Sequence, residues 1–75
     1  METIERVYYP KIGKKYDHYK GGTYTVLTLA KHTETDEVLV IYKSEHFGSV
    51  HARPLSVWNG RIDKFTKRFV LSPNQ

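Results

Sequence analysis

The sequence predicts a mainly all-β domain, built as a small and strongly bent antiparallel SH3-like barrel with one short helical turn. Three observations point to this class. Two apolar runs with strand character surround a polar loop, Asn59-Gly60 is a strong turn signal, and no stretch has the repeat of a long amphipathic helix. At 75 residues, the chain is expected to form one domain with loose ends at residues 1–6 and 72–75.

The first long strand is predicted at residues 23–32 and the second at residues 38–43. The first alternates imperfectly, so that one face is expected to carry Tyr24, Val26, Thr28, Ala30 and His32, and the other face Leu27 and Leu29. The second is apolar on both faces, which is typical of a central strand. The polar residues 33–37 between them suit a hairpin connection.

The remaining elements are shorter. Residues 18–22 are expected to form a turn, and residues 49–53 a third strand that Pro54 ends, because proline cannot donate to a sheet. Residues 54–58 suit one helical turn, and residues 61–65 and 69–71 two further strands after the Asn59-Gly60 turn. Short bent strands of this kind resemble the SH3-like class of barrels.

Composition narrows the environment of the protein. The chain has no Cys, which excludes disulfides and thiolate zinc sites, and no apolar run approaches the length of a membrane span. We expect a soluble protein of the bacterial cytoplasm. Six Tyr, three Phe and one Trp help a short chain to build a core, and a homo-oligomer is expected to add stability at this size.

The net charge of +4 is unevenly spread. Lysines precede the first long strand, Arg61, Lys64, Lys67 and Arg68 lie near the C-terminus, and the central loop is acidic. Basic segments from both ends are expected to converge on one face and to attract an anion. The alternative is a solvated surface that keeps a small protein soluble.

The turn at residues 18–22 carries more chemistry than a hairpin requires. Its glycines permit close backbone approach to an oxyanion, Lys20 supplies charge, and Tyr16 or Tyr19 can stack on a base. The alternative is a turn whose glycines serve geometry and whose tyrosines seal the core. Arg53 offers a planar fork for phosphate, or else forms an ion pair with Glu34 or Glu37.

A second cluster contains His32, Glu34 and Glu37, a combination that suits acid–base chemistry, metal binding or merely a solvated loop. The four histidines lack the paired spacing of a metal motif, so neither a metal, another cofactor nor a catalytic residue is predicted. The predicted ligand-binding residues are Tyr16, His18, Tyr19, Lys20, Gly21, His32, Tyr42 and Arg53.

The chain also resembles a family of small bacterial and phage β domains, the domain-of-unknown-function family 1653. The resemblance lies in Gly13, Tyr16, His18-Tyr19-Lys20-Gly21, Tyr24, Val26, Ala30, His32, Glu34-Thr35, Glu37, Val40, Tyr42 and Arg53-Pro54-Leu55. The chain departs from the family at His51, where a large aromatic is usual, and at Val57-Trp58, where Met-Phe is usual. The resemblance implies a compact β domain and favours a nucleotide ligand, since family members are joined to nucleotide-processing modules.

Three functions follow as hypotheses. The first is a non-catalytic module for a small anionic, nucleotide-like ligand, acting as a phage-type sponge that sequesters a nucleotide immune signal. The second is a nucleic-acid-binding SH3-like module, although basic and aromatic residues do not interleave along one strand. The third is a small nucleotide hydrolase with His18 or His32 as the base.

Overall fold

The computed structural model describes residues 8–73 and residue 75, so the predicted loose end at residues 1–6 lies outside the described residues. The elements are β1 (Lys15–His18), β2 (Thr23–Lys31), β3 (Val38–Ser44), β4 (Val50–Pro54), α1 (Leu55–Trp58) and β5 (Phe69–Leu71). The strands form one antiparallel sheet in the order β4-β3-β2-β1-β5. The mainly all-β prediction and the single helical turn are therefore confirmed.

The sheet is curled but its hydrogen bonding does not close, because β4 and β5 are its two edges. Neighbouring strands lie about 4.8 Å apart, so a flat sheet would hold β3 and β5 about 14 Å apart. Yet the ring centroids of Tyr42 on β3 and Phe69 on β5 are 5.8 Å apart. The curl thus carries the side chains of the two ends of the sheet into one core.

A bulge in β2 changes which side chains face this core. The pairing with β3 shifts between Val26 and Thr28, so that Val26 lies opposite Tyr42 and Leu29 lies opposite Val40. Leu29 consequently packs against the core, while Thr28 is exposed. The prediction of one continuous face through Thr28, Ala30 and His32 is therefore wrong after Val26.

Two further predictions need correction. Residues 15–18 form a strand that the sequence analysis did not predict, and its register with β5 pairs Tyr16 with Leu71 and His18 with Phe69. Residues 61–65 were predicted as a strand but form a bent loop, closed by a single bridge between Arg61 and Lys67. This loop folds back on itself because its hydrogen bonds are local, including Ile62 N–H to the carbonyl of Thr66 at 2.8 Å.

The core lies on the concave side of the sheet, under α1. Its buried side chains are Val26, Val40, Tyr42, Leu55, Trp58 and Phe69. Trp58 stacks on Phe69 with 3.8 Å between ring centroids and 6° between ring planes, which ties the helix to the edge strand β5. No helix in the described part of the chain is long and apolar enough to cross a membrane.

The C-terminal residues, which were expected to be loose, make contacts with β1. Ser72 N–H donates to the carbonyl of Lys15 at 2.9 Å, and the side-chain amide of Gln75 donates to the same carbonyl at 3.0 Å. These bonds extend the pairing of β1 and β5 beyond the last strand residue.

Candidate functional site: a cationic cluster around His18

His18 ends β1 and lies among aromatic rings. Its ring is half-buried, with centroids 4.7 Å from Tyr19, 4.9 Å from Phe69 and 6.3 Å from Tyr24. Its Nδ1 accepts the backbone N–H of Lys20 at 3.2 Å. In the neutral ring the proton is therefore on Nε2, which makes that atom a hydrogen-bond donor.

Three positive side chains act electrostatically on this imidazole. Burial lowers the pKa of His18, and the nearby charges of Arg53, Arg68 and Lys20 lower it further. The ring is consequently neutral at physiological pH. We call Lys20, Arg53 and Arg68 with His18 the cationic cluster. His18 ends β1, Lys20 lies in the turn at residues 18–22 (the glycine turn), Arg53 lies in β4, and Arg68 directly precedes β5.

Each arginine is held by a different contact. The guanidinium carbon of Arg53 lies 5.5 Å from the centroid of the Phe69 ring, within cation–π range. The carbonyl of Arg68 accepts the N–H of Tyr19 at 3.0 Å, which joins this residue to the glycine turn. The Nε of Arg68 is buried and has no hydrogen-bond partner among the described residues.

Carboxylates do not neutralise the arginines of the cluster within residues 8–73 and 75. The ion pairs of this part of the chain are Lys15 with Glu45 at 3.3 Å and Lys31 with Asp36 at 3.2 Å. Arg53 forms no ion pair with Glu34 or Glu37, the alternative role that its sequence position suggested. Its positive charge is available to an anion from solution.

The glycine turn positions the cluster more than it cradles a ligand. Gly21 and Gly22 have φ of +100° and +91°, which residues with a Cβ rarely adopt. The N–H of Gly21 donates to the carbonyl of His18 at 2.9 Å, and the N–H of His18 donates to the carbonyl of Gly22 at 3.0 Å. The Gly21 N–H is thus committed within the turn and is not free to bind an oxyanion.

The predicted tyrosines have three different environments. Tyr19 is 40% exposed beside His18, with Lys20 Nζ 5.7 Å from its ring centroid. Tyr42 is buried beneath the cluster and stacks on His51 at 5.5 Å. Tyr16 packs edge-on against Trp58 at 5.4 Å, and its hydroxyl accepts the N–H of Lys11. Tyr19 therefore joins the surface of the cluster, Tyr42 supports it, and Tyr16 borders a different groove.

His32 lies at the other end of β2 from the cluster. The strand has nine residues, so its ends are roughly 26 Å apart at about 3.3 Å per residue. The ring Nδ1 of His32 accepts the N–H of Glu34 at 3.1 Å and orders the hairpin loop. The structure therefore separates His32 from the other predicted ligand-binding residues. Among the residues described, no group of three His, Asp or Glu side chains is placed to hold a metal ion.

Arg68 and Phe69 are site residues that the sequence analysis did not select. They reach His18 through the pairing of β5 with β1, which no local pattern predicts. A further contact joins Ser49 Oγ and His51 Nε2 at 2.8 Å on and beside β4. Both side chains are exposed, and His51 extends the cluster's surface along the face of β4 that carries Arg53.

A separate groove of about 750 Å³ is lined in part by Trp58 and Phe69. Its walls include Tyr8, Tyr9, Tyr16, Asn59, Arg61 and Lys67. His18, Lys20 and Arg53 do not line it. Phe69 therefore borders both the groove and the cationic cluster, whereas His18, Lys20 and Arg53 belong to the cluster alone.

Comparison with known proteins identifies relatives of the chain but no activity. The model of the family described as "Protein of unknown function (DUF1653)" matches residues 14–70. A crystal structure of a DUF1653 protein from Bordetella bronchiseptica is similar, with 35% sequence identity and a TM-score of 0.70. That match covers 80% of this chain and 85% of the other. No curated protein matches this chain.

Proposed function

The chain belongs to the DUF1653 family of proteins of unknown function, and from its own geometry we propose that it is a non-catalytic binding module for a small anionic, nucleotide-like ligand. The observation that carries the proposal is the cationic cluster: His18 and the Arg53 guanidinium both pack against the Phe69 ring, at 4.9 Å and 5.5 Å, and the carbonyl of Arg68 accepts the N–H of Tyr19 at 3.0 Å. Three positive charges beside one neutral donor attract a phosphate more strongly than any neutral ligand.

Different side chains of the site are suited to the phosphate and to the base of a nucleotide. Arg53 and Arg68 offer guanidinium donors, and Nε2 of His18 adds a neutral donor beside them. Tyr19, exposed at the rim, offers a face on which a base can stack. A ligand with an anionic group and an aromatic ring would use both kinds of contact at once.

Binding without chemistry fits the protonation of His18. Its Nδ1 accepts the backbone N–H of Lys20, so the neutral ring carries its proton on Nε2, and its lowered pKa makes the ring a weaker proton acceptor. A module of this kind acts by mass action: it lowers the free concentration of its ligand, as a phage-type sponge for a nucleotide immune signal would.

The proposal extends to the barrel architecture, the oligomeric state and the cellular location of the protein. Curling of the sheet, which brings Arg53 on one edge strand over Phe69 on the other, supports a strongly bent SH3-like barrel. Exposed Val70 and Leu71 on the edge strand β5 support a homo-oligomer in the bacterial cytoplasm. A single monomeric species in sedimentation velocity at micromolar concentration would contradict the oligomer.

The test combines ligand identification with a matched charge pair of variants. Small molecules released by denaturing protein purified from its natural host are identified by mass spectrometry, and a nucleotide panel is screened by thermal shift and calorimetry. Arg53→Gln should weaken the binding of the active nucleotide about tenfold or more, because a charged hydrogen bond is lost. Lys43→Gln removes the same charge from an exposed position on β3 and should leave the affinity unchanged.

The outcomes separate the hypotheses. Saturable stoichiometric binding with the ligand recovered intact supports the proposal. Consumption of the nucleotide would establish a hydrolase instead. A panel that produces neither a thermal shift nor turnover, or equal affinities for the two variants, would overturn the proposed site.

A further inference from the structure

We propose that the groove lined by Trp58 and Phe69, together with the loop at residues 61–67, is a second binding surface that takes single-stranded nucleic acid. This surface is distinct from the cationic cluster, and the proposal stands on other side chains. The volume of about 750 Å³ matches the size of ligand-binding clefts in proteins.

The charge of the groove selects a polyanion. Arg61 and Lys67 line it, and its described lining contains no Asp or Glu. Asn59 fixes one wall, since its side-chain amide donates to the carbonyl of Tyr8 at 2.9 Å and to the carbonyl of Leu55 at 3.2 Å. The groove is therefore a positively charged channel with an anchored aromatic wall.

Cations and aromatic rings alternate along this surface in space. Lys67 Nζ lies 5.7 Å from the centroid of the Tyr8 ring, and Lys64 Nζ lies 5.4 Å from that of Phe65. Tyr8 and Tyr9 are about three-fifths exposed, at 60% and 61%. Basic and aromatic residues do not alternate along any single strand of the sequence. The fold brings them together by placing residues 8 and 9 beside the loop before β5. Bases stack on such rings while the adjacent lysines reach phosphates.

The loop is built to present Phe65. One carboxylate oxygen of Asp63 accepts the N–H groups of Phe65 at 2.8 Å and Thr66 at 2.9 Å, and Arg61 donates to the carbonyl of Lys64 at 3.3 Å. These bonds occupy the acidic side chain of the loop inside the loop itself. Phe65 is left 84% exposed, which costs free energy in water and is repaid when a base covers the ring.

The extent of the surface favours a strand over a mononucleotide. Tyr8 and Tyr9 stand in the groove wall, whereas Phe65 projects from the loop between the groove residues Arg61 and Lys67. More than one base is needed to cover both platforms. The named contacts reach rings and phosphates, so DNA and RNA strands are expected to bind alike and with little sequence preference.

The experiment is fluorescence polarisation of the full-length protein with short labelled oligothymidylate and oligouridylate. Trp58, the single tryptophan, lines the groove, and quenching of its emission reports occupancy there. Affinity should fall steeply from about 50 to about 200 mM salt, and Lys67→Ala should reduce the slope of log K against log salt by about 0.7. Phe65→Ala should weaken binding about fivefold or more, the loss of one stacked base.

Matched controls use equally exposed side chains away from the groove. Phe47, 81% exposed in the turn between β3 and β4, controls for Phe65, and Lys43 controls for Lys67. Phe47→Ala and Lys43→Ala should bind oligonucleotides as the wild type does. Arg53→Gln should also retain oligonucleotide binding, which separates this surface from the cationic cluster.

Each opposite result would overturn the inference. Such results are the absence of a polarisation change for either strand at low salt, salt-independent binding, equal affinity of the wild type and Phe65→Ala, or loss of oligonucleotide binding in Arg53→Gln. Failure here leaves the proposed small-ligand site untouched, because that site is read out by the nucleotide panel.

Discussion

The two ends of β2 carry the same local device with different surroundings. At each end a histidine Nδ1 accepts the backbone N–H two residues later: His18 that of Lys20 at 3.2 Å, and His32 that of Glu34 at 3.1 Å. Around His18 the fold assembles two arginines and aromatic rings, whereas His32 is followed by an acidic loop. The histidine turn is thus a structural motif, and the surrounding strands determine which charged and aromatic side chains lie around it.

The largest expected effect concerns the backbone of the glycine turn at residues 18–22. Gly22 has φ of +91°, so Gly22→Ala forces a Cβ into the left-handed region. We expect a loss of about 2 kcal/mol in the free energy of unfolding, since incompatible Gly-to-Ala changes cost more than about 1 kcal/mol. Urea denaturation followed by Trp58 fluorescence measures it. Wild-type stability in Gly22→Ala would show that the turn tolerates a side chain.

The next prediction exchanges ring chemistry while keeping the rings. His18→Phe preserves packing against Phe69 but removes the Nε2 donor, so the affinity for the nucleotide identified in the panel should fall about tenfold. His32→Phe makes the same change at the other end of β2 and should leave affinity unchanged. Calorimetry on both variants measures the contrast. Equal losses in the two would mean that both histidine turns contribute to the site.

The sequence predicts the features that depend on neighbouring residues but not those that depend on pairing between distant ones. The strands at residues 23–32 and 38–43, the hairpin loop and the helical turn follow from local apolar patterns and turn residues, and the structure has them within a residue or two. β1 was missed because its four residues are mixed in polarity and are held between β2 and β5, the latter more than fifty residues later. Arg68 was not selected for the same reason, since only that register places it beside His18.

The bulge in β2 had a similar consequence for His32. An unbroken alternation from Tyr24 places His32 on the core face, the face of Tyr24 and Val26. The extra residue at the shift between Val26 and Thr28 reverses the alternation, and no glycine or proline in β2 announces it. The length of β2 also separates His32 from His18, and that length is predicted correctly from the sequence.

A third prediction uses pH to test the charges around His18. The folded-state pKa of His18 is lowered, by burial first and then by Arg53, Arg68 and Lys20, below an unfolded value of about 6.5. The unfolded state therefore binds the proton first, and stability is lost as pH falls below about 6.5 towards the folded pKa. His18→Phe should flatten this part of the profile, with a difference below about 1.4 kcal/mol per pH unit, the limit for one proton.

The controls for this profile change the cause of the shift. Arg53→Gln removes one of the positive charges that lower the pKa, so its profile should lie between those of the wild type and His18→Phe. Urea midpoints measured from about pH 7.5 down to about pH 5 supply the curves, with the other histidines retained in every variant. Parallel curves for all three proteins would show that His18 does not cause the loss of stability at low pH.

The smallest effect is expected at the hairpin loop beyond His32, and it completes the comparison of the two turns. Asp36 has φ of +63°, a left-handed value that aspartate tolerates and glycine adopts freely. Asp36→Gly relieves that conformation, but it also removes the exposed ion pair with Lys31 at 3.2 Å and adds freedom to the unfolded chain. These terms oppose one another, so urea denaturation should give a net change within about 0.5 kcal/mol and unaltered nucleotide affinity. A large loss would make the acidic hairpin as stringent as the glycine turn. The side chain at position 36 would then have a structural role that its exposure does not suggest.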